Sequence, residues 1–123
     1  MALGKIKADT LEHSTSGSVD TKFVVEGSIK CAFKTDGTYT GVATGSLNVS
    51  GLTDNGTGDI TIAFSSSFSS ADNTQISGSG DSTAVRVVTY NTEATSSMKF
   101  KCSNHSNSAS DNEMSGHITG GLA

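Results

Sequence analysis

From Ser28 onward the apolar side chains return at every second position: Ile29, Cys31 and Phe33, then Leu47 and Val49, then Ile60, Ile62 and Phe64. A repeat of two is that of a β-strand with one face turned inward, and it does not fit the 3.6-residue repeat of an amphipathic helix. Val85, Val87, Val88 and Tyr90 form a further run, Met98, Phe100 and Cys102 another, and Met114 with Ile118 a weaker last one. Between the runs stand Thr35-Asp36-Gly37-Thr38, the segment from Thr53 to Asp59, and Ser77-Gly78-Ser79-Gly80-Asp81. These are turn sequences, because Gly, Asn and Asp accept the positive φ angles of tight hairpins. Six to eight short strands at this spacing predict an all-β fold, a single antiparallel β-sandwich or barrel domain. Ile6 to Leu11 is the one short candidate for a helix. The stripes put Ile29, Phe33, Leu47, Val49, Ile60, Ile62, Phe64, Val87 and Phe100 inside.

The core so defined is thin. Ser, Thr and Gly supply 21, 16 and 14 of the 123 residues, whereas Leu, Ile, Val and Phe together number 24. That fraction sits near the floor of roughly 20% below which highly charged chains stay unfolded. The charge here, 8 basic against 12 acidic residues, is a mild −4, so folding is affordable but thinly supported. Some stability is therefore expected from contact with a partner that binds only the folded state. The length suits one domain. The composition excludes a transmembrane helix, a coiled coil, a disulfide-dense scaffold and a nucleic-acid binder of the basic-patch kind. Neither a nucleic-acid partner nor membrane insertion is expected.

Three regions depart from the alternation. Residues 1–22 alternate little and carry a Ser-Thr-Gly stretch from Ser14 to Ser18; alone they read as a tail or as an arm that orders against a partner, and composition favours the tail. The domain organisation is thus an N-terminal extended arm, 1–22, followed by a β-sandwich-like domain, 23–123. The serine-rich stretches from Ser65 to Ser82 and from Ser103 to Ser115 read as solvent-facing loops. The opening residues hold no apolar run of signal-peptide length, which predicts a chain not exported by the Sec route and assembled in a cytoplasm.

Chemistry-bearing patterns are sparse. His13, His105 and His117 each stand among small polar residues without a partner at metal-binding spacing. No Gly-x-Ser-x-Gly elbow occurs between a strand and a helix, and no enzyme activity, metal or cofactor is expected. The segment Asp54-Asn55-Gly56-Thr57-Gly58-Asp59 gathers oxygen ligands of the kind calcium takes, but lacks the later Glu of an EF-hand and reads as a hairpin. Asn48-Val-Ser50, Asn55-Gly-Thr57 and Asn104-His-Ser106 match the glycosylation pattern, as a Ser/Thr-rich chain does by chance. Cys31 and Cys102 fall in phase with the inward stripes and read as small buried hydrophobes. In a reducing compartment they are thiols.

Two stretches resemble small β-rich virion structural proteins, fibre-like or knob-like, of tailed bacteriophages, especially marine and cyanobacterial ones. The first runs from Gly4 to Ser28, GKIKADTLEHSTSGSVDTKFVVEGS; the second, from Leu47 to Phe64, LNVSGLTDNGTGDITIAF, joins two strands through an Asp-Asn-Gly loop. The resemblance implies a non-enzymatic structural protein on the virion surface, of the capsid decoration or knob type. The alternative it implies is a tail-fibre tip or receptor-binding module that attaches to the host cell surface. Under it the arm becomes an anchor to other virion proteins, capsid or tail, with Leu3, Ile6, Leu11, Phe23, Val24 and Val25 as the apolar contacts. A homo-oligomer, by analogy a trimer, and a host surface glycan are the further partners it suggests.

Overall fold

The computed structural model describes residues 8–41, 46–79 and 84–123. Strands β1 (Thr10–His13) and β2 (Gly17–Asp20) form a small hairpin, followed by one short helix, α1 (Thr21–Gly27). Seven strands then make the body: β3 (Ile29–Lys34), β4 (Val49–Gly56), β5 (Asp59–Phe64), β6 (Thr74–Ser79), β7 (Arg86–Glu93), β8 (Ser97–Asn104) and β9 (Met114–Thr119). They pair antiparallel into a three-stranded sheet, ordered β3-β9-β6, and a four-stranded sheet, ordered β4-β5-β8-β7. The fold is all-β and antiparallel, as the alternation predicts, and of the two expected architectures, sandwich and barrel, the two sheets facing one core form the sandwich.

One face of each sheet supplies the core. Cys31 and Phe33 on β3 with Met114 and Ile118 on β9 meet Ile60, Ile62 and Phe64 on β5 and Met98, Phe100 and Cys102 on β8. The Phe33 and Phe100 rings, one from each sheet, lie with centroids 4.8 Å apart at 56°. Such tilted pairs add to the burial itself. On β5 and β9 the burial alternates strictly, so the neighbours of the core residues, Asp59, Thr61, Ser115 and His117 among them, point away from it.

The ends of the sandwich are closed by segments without alternation. Thr35 is buried beyond β3, where its amide donates to the Met114 carbonyl (2.8 Å) and its Oγ1 accepts from the Met114 amide (3.0 Å). Tyr39, at φ 53°, is buried nearby and its hydroxyl accepts from the Asn112 amide (3.1 Å). Elsewhere Phe68 is 1% exposed and packs edge-on against Phe64, with centroids 4.9 Å apart. Its backbone is held on both sides, by the Thr95 carbonyl (2.8 Å) and by the C-terminal residues, where Ser69 donates to Gly121 (2.8 Å) and Ala123 to Ser67 (2.9 Å).

Three members of the expected core lie outside it, Ile29, Leu47 and Val87 being 44%, 49% and 50% exposed. A β-bulge lies between Ile29 and Cys31, which places Lys30 out of register and breaks the phase between these two residues. Leu47 pairs with Ala32, whose neighbours Cys31 and Phe33 take the inward positions, and Asn48, at φ 57°, separates it from β4. Val87 stands opposite Ser103, on the outer face, while its neighbour Val88 packs on the core. Val49 is partly buried against the core.

The loop expectations change as well. The segment from Ser65 to Ser82 contains buried Phe68 and the strand β6, so Ser77, Gly78 and Ser79 are strand rather than turn; residues 80–83 lie outside the described residues. The segment from Ser103 to Ser115 contains the fully buried Met114. The turn expected from Thr53 to Asp59 contracts to Thr57-Gly58, because β4 runs on to Gly56. The expected helix from Ile6 to Leu11 is replaced, among its described residues, by the start of β1, and the helix that forms lies at Thr21–Gly27.

Candidate functional site: the N-terminal segment and the polar loops

The segment before β3 is built from local bonds. Three residues, Ser14 to Ser16, turn the β1-β2 hairpin, and Gly17 at φ 88° takes the left-handed position that such loops favour. The Thr21 amide and hydroxyl both return to the Asp9 carbonyl (2.8 and 3.1 Å), and the hydroxyl also reaches Ala8 (2.6 Å). Helix α1 ends where the Ser28 amide donates to the Val24 carbonyl (3.1 Å). The Lys30 ammonium then folds back onto the Val25 carbonyl and Ser28 Oγ, placing a cation at the helix C-terminus, where the backbone dipole favours one.

These elements bury little. Every residue of β2 is exposed, and α1 has no buried residue. Phe23, Val24 and Val25 are consecutive, and at 100° per residue they spread around the helix instead of gathering on one face. Phe23 is accordingly 65% exposed, with Val24, Val25 and Leu11 also in solvent. Leu11 stands opposite Val19 across the hairpin, and the two line a shallow depression with Glu12, Ser16, Gly17 and Ser18. Of the expected anchors, Leu11, Phe23, Val24 and Val25 are thus exposed on one hairpin-helix unit, whereas Leu3 and Ile6 lie outside the described residues. Val19 belongs with them. Its only signal in the sequence is its place opposite Leu11, visible once the Gly17 turn fixes the register.

The loops use their polar side chains to hold themselves. Asp36 Oδ1 accepts from the Thr38 and Thr40 amides (3.2 and 3.3 Å) and its Oδ2 from Thr40 Oγ1 (2.8 Å). The Thr40 hydroxyl and these other bonds hold the Asp36 carboxyl below the usual range. Asn48 clamps Ser66 through both side-chain atoms, accepting from its amide (2.7 Å) and donating to its carbonyl (3.0 Å). Asn104 Oδ1 accepts from the Ser106 and Ser108 amides (3.0 Å each).

No catalytic grouping emerges among the described residues, and no three His, Cys, Asp or Glu side chains are placed to share a metal ion there. His105 and His117 are exposed on different elements. Cys31 and Cys102 are buried, on different sheets, with no disulfide between them, and burial pushes the Cys31 thiol up to about 11. In the Asp54–Asp59 hairpin, Asp54 Oδ1 accepts from the Gly56 amide (2.8 Å), and Asp59 is paired with Lys99 (3.2 Å) and Lys101 (3.6 Å). The chain matches no protein-family model, no curated protein and no solved structure.

Proposed function

We propose that this protein is a non-enzymatic structural component of a tailed-bacteriophage virion surface, of the capsid decoration or knob type, held in place by its N-terminal segment. The observation that carries this reading is the exposure of Leu11, Phe23, Val24 and Val25 beside a strand β2 that is exposed throughout and on a helix with no buried residue. Single surface apolar residues need no explanation; several on one hairpin-helix unit, with Leu11 and Val19 opposite each other, support a contact there. The likeness of residues 4–28 and 47–64 to virion proteins supplies the setting, and the body is a sandwich whose loops are tied by Asp36, Asn48 and Asn104. The alternative, a fibre-tip module that meets a host glycan, is favoured by one feature. A shallow depression of about 270 Å³, lined by Ser77, Gly78, Ser115, Gly116 and His117, opens on the β6-β9 pair.

Quantitative mass spectrometry of purified virions separates the two readings. Decoration requires copies on the scale of the capsid lattice, and a fibre tip a few per tail. Phe23→Ser and Val25→Ser test the anchor directly, since both side chains are exposed and neither variant opens the core. Both should remain folded and lose incorporation into particles. Incorporation at the wild-type level would refute the anchoring role.

A further inference from the structure

We propose that Asn55 is a site of spontaneous deamidation, and that its hydrogen bonds to Asp59 and Thr61 set the rate. Among the seven asparagines of the chain, Asn55 is the one followed by glycine. That neighbour matters because a glycine amide carries no side chain to obstruct its approach to the asparagine carbonyl. The residue lies at the exposed end of β4, in a β-bulge between Asp54 and Gly56, so it stands out of the ladder with β5. Gly56, at φ 119°, has nothing within 4 Å of the position a Cβ would occupy.

The reaction needs only water. The Gly56 nitrogen, after losing its proton to solvent base, attacks Asn55 Cγ; the N–Cγ bond forms, the Cγ–Nδ2 bond breaks, and ammonia leaves. Water then opens the five-membered imide at either carbonyl, giving aspartate or, when the chain continues through the side chain, isoaspartate. No redox partner or enzyme is involved.

The fold restrains both reacting groups. The Gly56 amide donates to Asp54 Oδ1 (2.8 Å), which keeps its proton engaged. Asn55 Nδ2 donates to Asp59 Oδ1 (3.1 Å) and Thr61 Oγ1 (2.9 Å), which holds the side chain toward β5. Cyclisation requires these bonds to open, so its rate follows local opening of the hairpin end rather than the chemistry of a free Asn-Gly peptide. The product is self-sustaining. A carboxylate at position 55 cannot donate to Asp59 and is repelled by it, and an isoaspartate lengthens the chain next to the bulge.

The experiment incubates the intact protein at mildly alkaline pH and follows position 55 by peptide mass spectrometry, with electron-transfer fragmentation to identify isoaspartate. The gain in mass on exchanging the amide NH₂ for OH also separates this event from isomerisation at Asp36-Gly37, which leaves mass unchanged. Wild-type protein should convert slowly at Asn55, Thr61→Val several-fold faster, and protein in denaturant fastest of all. Lys101→Ala, which removes one ion pair of Asp59 but no bond of Asn55, should convert at the wild-type rate, and hydrogen exchange on β5 checks that Thr61→Val has kept its fold. Conversion of the folded wild type at the denatured rate, an unchanged rate in a folded Thr61→Val, or conversion elsewhere but not at Asn55 would overturn the proposal.

Discussion

Replacing Phe68 with alanine tests whether the serine-rich segment after β5 closes the core. The ring is 1% exposed and leans on Phe64 at 4.9 Å. Removing a phenylalanine side chain returns about 150 Å² of apolar burial, close to 4 kcal/mol at about 25 cal/mol per Å². The surroundings have little freedom to collapse into the space, since Phe68, Ser69 and Ser67 are tied by backbone bonds to Thr95, Gly121 and Ala123. The loss therefore belongs within the range of about 3 to 5 kcal/mol measured for large core deletions. With an unfolding entropy of about 0.26 kcal/mol/K for a chain of this length, the melting temperature should fall by about 12 to 19 °C. Thermal melting followed by circular dichroism reads this directly, and urea titration should show a lower midpoint at an unchanged slope. Phe23→Ala, which truncates a ring that is 65% exposed, is the matched control and should stay within about 0.5 kcal/mol of wild type. A shift of less than about 3 °C for Phe68→Ala, or an equal shift for Phe23→Ala, would refute the reasoning.

Gly58→Ala should cost about 2 kcal/mol or more in urea unfolding. Gly58 stands at φ 66°, and a Cβ there would strike the Cys102 carbonyl and come 2.8 Å from the Ser110 nitrogen, whereas Gly51, with nothing within 4 Å, should accept alanine far more easily. Thr35→Val keeps the shape but leaves the buried Met114 amide without the Oγ1 acceptor, for an expected loss of about 1 to 3 kcal/mol by thermal melting. Burial raises the Cys31 thiol from 9.0 to about 11, so its contribution is complete below pH 9 and is lost as pH rises through about 11. Cys31→Ala should flatten that alkaline decline, measured as melting temperature against pH. The Asp36 carboxyl is lowered, first by the Thr40 hydroxyl, so its contribution is present above the unfolded pKa and lost as pH falls through the folded one. Thr40→Val should shift the Asp36 titration, followed by carboxyl NMR, upward.

The strand stripes were legible because alternation is a local signal: Phe33, Ile60, Ile62, Phe64 and Phe100 can be placed from their own neighbours, and all five are buried. The exceptions fail at the same local scale. Ile29 keeps the spacing of its stripe and loses the phase to a bulge that no residue type announces, and Val87 and Val88 cannot both face inward, a choice made by pairing with β8. The closures were invisible for a different reason. Phe68 among serines, Thr35 at a strand end and Tyr39 in a turn owe their burial to partners distant in sequence, Gly121 and Ala123 for the first segment, Met114 and Asn112 for the others. The exposed N-terminal apolar residues invert the problem. Leu11 and Val19 become one surface only when the hairpin register brings them opposite, and Phe23, Val24 and Val25 remain exposed because a seven-residue helix cannot bury three consecutive side chains on one side. A chain with so few large apolar residues leaves five of them, Leu11, Val19, Phe23, Val24 and Val25, exposed on its N-terminal hairpin and helix. For this reason the proposed partner contact is tested first at the N-terminal segment, where the exposed apolar residues stand within one hairpin and the helix that follows it.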